Sequence, residues 1–127
     1  MLSNPKSQRW VSLLEENLDT ANTLFARSRE EFVNDQTLQL AGEALIMRVG
    51  DLAKQLNGIE PALWENSVWQ SAARARDFVA HHYHRVDVEL LWETLSISFP
   101  ELTRELQRVT AMDLTKTTLN THSPRSE

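Results

Sequence analysis

The sequence predicts an all-α protein, an up-and-down bundle of four to five helices. Three observations carry that expectation. Apolar residues recur at helical spacing along most of the chain, no stretch alternates apolar with polar residues as a half-buried strand would, and only three glycines interrupt it. With 127 residues and 41% hydrophobic content, the chain can furnish one core, a small one for a monomer, and hence one domain.

The elements follow in order. Trp10, Leu13, Leu14, Leu18, Ala21, Leu24 and Phe25 form one stripe and predict a first helix from about Lys6 to Arg29. A second stripe, Leu38, Ala41, Leu45, Val49, Leu52 and Leu56, predicts a helix capped by Asn34 or Asp35 and stopped at Asn57-Gly58. Pro61 lies in the connection that follows. Ser67-Val68-Trp69-Gln70 has the form of a capping box and opens a third helix reaching about Tyr83. Asp87 caps a fourth helix through Leu90, Leu91, Leu95 and Ile97. Ser98-Phe99-Pro100-Glu101 repeats the capping-box pattern, with proline tolerated in the first turn, and predicts a fifth helix or a kinked continuation to about Met112. The helical domain is therefore expected over residues 1–112. The tail, 113–127, rich in Thr and Ser, has no periodicity and is expected to be disordered.

Composition excludes several kinds of chemistry. Without cysteine there is no disulfide framework, thiol nucleophile or thiolate metal site, which fits a reducing compartment. No apolar run approaches membrane-spanning length, and Met1-Leu2-Ser3-Asn4-Pro5 lacks a signal-peptide core, so a soluble cytoplasmic protein is expected. The formal net charge of −5 argues against a broad basic surface for nucleic acid. One segment departs from that balance. From Arg74 to Arg85 there are three arginines, one aspartate and the histidines His81, His82 and His84. There is no Walker loop, Gly-rich phosphate loop or serine nucleophile elbow.

Within that segment, Arg76-Asp77-Phe78-Val79-Ala80-His81-His82-Tyr83 places a fixed cation, an imidazole and a phenol close together. Guanidinium holds phosphate oxygens in a fork, and imidazole moves protons near neutral pH, so the pair suits phosphodiester chemistry. A helical wheel puts Val68, Ala72, Ala75, Val79 and Val86 on the core side. Arg76 and Tyr83, seven apart, share one flank, whereas Asp77, His81 and His84 face away with Gln70 and Arg74. Asp77 and His81 are four apart, so the carboxylate is placed to orient the ring or raise its pKa. Arg76 and His81 are five apart, about 140° around the wheel. Their convergence on one phosphate calls for a long arginine reaching round, a helix irregularity, or a second copy of the helix across a two-fold axis. The plain alternative is a solvated polar face with Arg76 paired to a nearby carboxylate. His81, His84 and Asp77 also share a face that suits a metal, although the Glu-x-x-His pattern of metal-binding bundles is missing. His82 tends toward the core side and is expected to be packed and hydrogen-bonded. Trp10, Trp64, Trp69 and Trp92 have the chemistry to stack bases, but their helical placement favours packing.

Arg76-x4-His81-x-Tyr83 is similar to the signature of HEPN-domain proteins, and most closely to the HepT toxin family. The likeness continues in order through Phe32-Val33-Asn34-Asp35-Gln36-Thr37, Gly42-Glu43-Ala44, Trp69, Val86-Asp87, Leu91-Trp92 and Pro100-Glu101-Leu102, covering the chain from the first helix to about Val109. The resemblance implies a HEPN-type helical bundle, a homodimer, acting on RNA (mRNA or tRNA) as a metal-independent endoribonuclease toxin with no cofactor. It implies catalytic roles for Arg76 and His81. It further implies silencing by an MntA-like nucleotidyltransferase antitoxin that attaches AMP to Tyr83. Two residues depart from the family's pattern: Asp77 stands where asparagine is common, and Arg74 where glycine is frequent. Asp77 either weakens RNA binding or tunes His81, and Arg74 either aids phosphate contact or crowds the cleft.

In such an enzyme the 2′-OH of the RNA is the nucleophile and the product is a 2′,3′-cyclic phosphate. His81 takes the 2′-OH proton or protonates the leaving 5′-oxygen. Arg76 stabilises the pentacoordinate phosphate, and His84 is a weaker candidate for the second proton transfer. AMP on Tyr83 would set an anion beside Arg76 and block RNA entry. The alternative function is a non-catalytic HEPN module that binds nucleotide or substrate for a partner nucleotidyltransferase, and a third is a plain helical interaction protein.

Overall fold

Four helix N-termini in this chain are set by side chains that satisfy orphan backbone donors, as the computed structural model, which describes residues 5–82 and 87–111, shows. Helix α1 spans Pro5–Leu24 and buries Val11, Leu14, Leu18 and Ala21. It ends earlier than the stripe suggested. Ser28 then caps a short α2, Arg29–Val33, by accepting from the Glu31 backbone N–H at 3.2 Å. Ser28-Arg29-Glu30-Glu31 has the Ser-x-x-Glu form of a capping box, so this break was written in the sequence. Its purpose is to bury Phe32, which meets Phe25 edge-on at 5.4 Å and Trp92 at 5.5 Å.

Helix α3, Gln36–Ile59, is capped by Asp35, whose carboxylate accepts from the Leu38 N–H at 3.2 Å. It runs through Gly58 and does not stop there. The stop is Pro61: its ring disfavours helical geometry at the preceding residue, and Glu60 sits at φ −128°, ψ 73°. A 3-10 turn, Pro61–Glu65, follows.

Helix α4 spans Ser67–His81. Its cap is Asn66, not Ser67: the Asn66 side chain accepts from the Val68 N–H at 3.1 Å, and Gln70 Nε2 donates to the Trp64 carbonyl at 2.9 Å instead of reaching back to the cap. Asp87 caps α5, Val88–Glu93, as expected, accepting from the Glu89 N–H at 2.9 Å. Of the two expectations at Ser98, a new helix or a continuation, the structure has the continuation. A π-helical turn, Thr94–Ser98, carries the chain without a break into α6, residues 99–111. Pro100 cannot donate to the residue 96 carbonyl, and a widened turn relieves its clash; the Phe99 N–H bonds back to the Thr94 carbonyl.

The fold is an all-α bundle in which α3 is the central helix, flanked by α1 and α4. Leu14, Leu18, Ile46, Val49, Leu56, Trp69, Leu91, Phe99, Leu102 and Val109 are essentially inaccessible and form the core. Trp69 is core, and Trp10, Trp64 and Trp92 are partly buried against it, as their spacing favoured. At the base of the bundle Glu105 is buried. It accepts from Arg108 Nε at 2.7 Å and from Trp69 Nε1 at 3.4 Å, tying α6 to α4. Residues 113–127 lie outside the described residues. Among the described residues no helix is long and apolar enough to cross a membrane.

Candidate active site

Gly50 determines where Arg76 sits. A Cβ built on Gly50 would lie 2.1 Å from the Arg76 Cβ and 3.0 Å from the Ala72 carbonyl, so only glycine lets α3 and α4 approach this closely. A glycine in a helix interior costs about 1 kcal/mol against alanine, and the close approach is what offsets it. The Arg76 stem therefore lies in the α3–α4 seam, with 28% of the side chain exposed. The core face of α4 is turned relative to the expected one. Trp69, Ala72, Ala73 and Val79 are buried, while Val68 and Ala75 are only partly covered. Trp69 and Arg76 are seven apart, on the same flank, so the flank that begins as core becomes the seam two turns later.

The guanidinium is gripped on both sides. Arg76 Nε donates to Asp51 Oδ1 at 2.8 Å, and Nη1 donates to Asp77 Oδ1 at 3.3 Å. The same Asp77 oxygen accepts from Lys54 Nζ at 2.5 Å. Lys54, ahead of Arg76, holds the Asp77 carboxyl below its usual range, and Asp51, ahead of Asp77, holds Arg76 above its own. Asp77 thus turns its carboxylate toward α3 and away from His81, contrary to the expectation that it orients the ring.

What orients His81 is backbone. Its Nδ1 lies 2.7 Å from the Asp77 carbonyl oxygen. A carbonyl only accepts, so Nδ1–H donates and the proton is fixed on that nitrogen. His81 is exposed, and in the neutral ring this tautomer makes Nε2 the acceptor, directed away from this bond. His82, expected on the core side, is instead exposed at the end of α4. It donates from Nδ1 to the Phe78 carbonyl at 2.9 Å and stacks on the Phe78 ring at 4.3 Å.

Arg74 is exposed and donates to Ser71 Oγ at 3.3 Å. Ser71, Arg74, Ala75 and Phe78 form one wall of a 310 Å³ groove whose other wall is Leu90, Thr94 and Ser98. Arg74 and His81, seven apart, share the flank beside it. Tyr83 and His84 lie outside the described residues. The structure therefore brings Arg76 together with Asp77, Asp51 and Lys54, and places His81 with Arg74 on a different side of α4. No hydrogen bond or ion pair joins Arg76 to His81 among the described residues. Among them no three His, Asp or Glu side chains are grouped to hold a metal ion.

Gly50, Asp51 and Lys54 were not singled out from the sequence. A signal existed: a glycine inside an otherwise strong helical stripe calls for a packing reason. Asp51 and Lys54, three apart, share one face. Which helix they meet is not readable from spacing.

Residues 14–109 match the family profile described as Ribonuclease HepT-like. The chain is 29% identical over 80 residues to a Thermococcus cleftensis protein named "Probable ribonuclease HepT", covering 63% of this chain and 73% of that one. It is 28% identical over 82 residues, 65% of this chain and 73% of the other, to a protein of Caldanaerobacter subterraneus subsp. tengcongensis named as a candidate RNase. A Methanocaldococcus jannaschii protein similarly named is 22% identical over 96 residues, 72% of this chain and 88% of its own. No solved structure matches the chain.

Proposed function

The chain belongs to the HepT-like ribonuclease family, and from that premise we propose that it is a metal-independent endoribonuclease toxin that cleaves RNA through attack of the substrate's own 2′-OH. The observation that carries this reading is the fixed tautomer of His81. With Nδ1–H committed to the Asp77 carbonyl, the exposed Nε2 is the atom that accepts the 2′-OH proton or, once protonated, donates to the leaving 5′-oxygen. Arg76 supplies the charge that stabilises the phosphorane, and its pre-set position in the seam means that little reorganisation is needed as charge develops.

Arg76 and His81 diverge around α4, so the active unit is a homodimer in which α4 of one copy faces α4 of its partner. The groove lined by Arg74 and Phe78 lies on the flank of α4 that Arg74 shares with His81, and is the path proposed for the RNA strand. Tyr83 is the site at which a nucleotidyltransferase antitoxin attaches AMP, with the added phosphodiester neutralising Arg76.

A second reading, a non-catalytic module serving a partner nucleotidyltransferase, is favoured by one observation: both carboxylates of the seam already engage Arg76. One experiment separates the two. Purified protein is incubated with 5′-labelled RNA in chelator, alongside the same RNA carrying 2′-deoxy sugars. The enzyme cuts only the ribose substrate and leaves a 2′,3′-cyclic phosphate; no cleavage of either overturns the ribonuclease reading. For Tyr83, incubation with ATP and the partner should add the mass of one AMP. Equal modification of Tyr83→Phe would refute that site.

A further inference from the structure

The seam between α3 and α4 contains one carboxylate oxygen claimed by two cations. Asp77 Oδ1 takes Lys54 Nζ at 2.5 Å and Arg76 Nη1 at 3.3 Å. Asp51 holds Arg76 separately through Nε at 2.8 Å. The four side chains carry two positive and two negative charges, so the cluster is neutral with Lys54 present and −1 without it. Lys54 makes the shorter bond, and Arg76 the longer one. Asp77 is also the group that competes most directly with a phosphate for the guanidinium, because it engages Nη1 at the outer end of the side chain. Asp51 engages Nε, nearer the stem.

We propose that Lys54 is a positioning residue for RNA cleavage: it holds and neutralises Asp77, and so leaves the Arg76 fork able to take phosphate oxygens. The inference rests on the ribonuclease reading. Asp51 and Lys54 lie three apart on one face of α3, and they divide the work. Asp51 fixes the guanidinium from behind, while Lys54 draws off its rival. In this proposal Lys54 acts only through Asp77.

Four proteins test this: wild type, Lys54→Met, Asp77→Asn and the double variant. Each is measured for kcat and KM on a single-stranded RNA, for affinity to the all-2′-deoxy oligonucleotide of the same sequence, and for melting temperature. Lys54→Met should weaken oligonucleotide binding by about five-fold, the scale of an exposed charge pair, and lower kcat/KM at least as much. Asp77→Asn, which removes the rival carboxylate, should bind the oligonucleotide more tightly than wild type, and the double variant should match Asp77→Asn. A pair that merely ties α3 to α4 gives the opposite: Asp77→Asn is as harmful as Lys54→Met and both melt lower. That pattern overturns the proposal. A double variant as weak as Lys54→Met also overturns it, since Lys54 would then contact RNA directly. If wild type cuts RNA and Lys54→Met is unchanged, only the role of Lys54 fails. If wild type neither cuts RNA nor binds the oligonucleotide, the ribonuclease reading fails and this proposal fails with it.

Discussion

Glu105 at the base of the bundle and Asp77 in the seam are both carboxylates held below their usual range by a basic neighbour, Arg108 for Glu105 and Lys54 for Asp77. Their settings are opposite. The Glu105 side chain is 5% exposed and held on both oxygens, by Arg108 on each and the Trp69 indole on one of them. The Asp77 side chain is 45% exposed, and one of its oxygens is shared between two cations. A buried acid with both oxygens hydrogen-bonded has one favoured arrangement and holds two helices together. A half-exposed acid between two cations has alternatives of similar energy, and a ligand can choose among them. The same residue chemistry therefore serves stability at one end of α4 and adjustable charge at the other.

The sharpest way to break this contrast is Gly50→Ala. Its Cβ would fall 2.1 Å from the Arg76 Cβ, and no rotamer of Arg76 relieves a clash at Cβ. Helix α4 must move off α3. The expected cost is about 1–3 kcal/mol in chemical denaturation, together with loss of RNA cleavage as Arg76 is displaced. Full activity in this variant would mean that the seam geometry does not matter to the chemistry.

Glu105→Leu is the counterpart at the base. It leaves the buried Trp69 N–H without its acceptor, and should lower stability by about 1–3 kcal/mol. Cleavage per folded molecule, measured well below the melting temperature, should be unchanged. A variant that is stable but inactive would place the base of the bundle in the reaction.

Acid separates the two carboxylates by degree. Both fold with lowered pKa, so each favours the folded state above the ordinary carboxylate value of about 4.3 or 3.9. As pH falls through that value the unfolded chain takes up the proton first, and the contribution is lost through the folded pKa. The exposed Asp77 is screened by solvent. Melting temperature below about pH 4.5 should therefore fall much less steeply in Glu105→Gln than in wild type, and Asp77→Asn should follow wild type closely. Equal flattening in both variants would erase the distinction.

The smallest effect is expected at Gly42. There a new Cβ meets the Leu95 Cδ1 at 2.8 Å, the far end of a side chain that can turn aside, and lies in ordinary contact with Phe25 Cζ at 3.4 Å and Phe32 Cε2 at 3.6 Å. Gly42→Ala should change stability by no more than about 1 kcal/mol, because helix propensity offsets the repacking. A loss as large as that of Gly50→Ala would show that glycine matters in α3 for a reason other than contact with Arg76.

The bundle was readable because each helix carries its own stripe and caps. Asp35 and Asp87 cap as their positions foretold, the Pro61 stop follows from the ring's restriction of the residue before it, and the Pro100 effect follows from the missing N–H. The Ser28 cap was equally readable, but an unbroken stripe to Phe25 masks the end of α1. Arg76 and His81 stood out by residue type and by likeness to a family. Their partners did not. Asp51 and Lys54 meet α4 only because Gly50 sets the depth and rotation of the packing, and periodicity within one helix carries no information about its neighbour's rotation. The carbonyl that fixes the His81 tautomer was hidden for a related reason: the wheel offers a side chain four residues back, while the ring reached the backbone of that same residue.

His81→Ala tests the central claim most directly, because His81 is exposed, outside the core and committed to one local hydrogen bond. The variant should unfold within about 0.5 kcal/mol of wild type, as surface substitutions do, while cleavage of labelled RNA in chelator falls at least about a hundred-fold. A folded His81→Ala protein that cuts RNA at the wild-type rate would contradict the account.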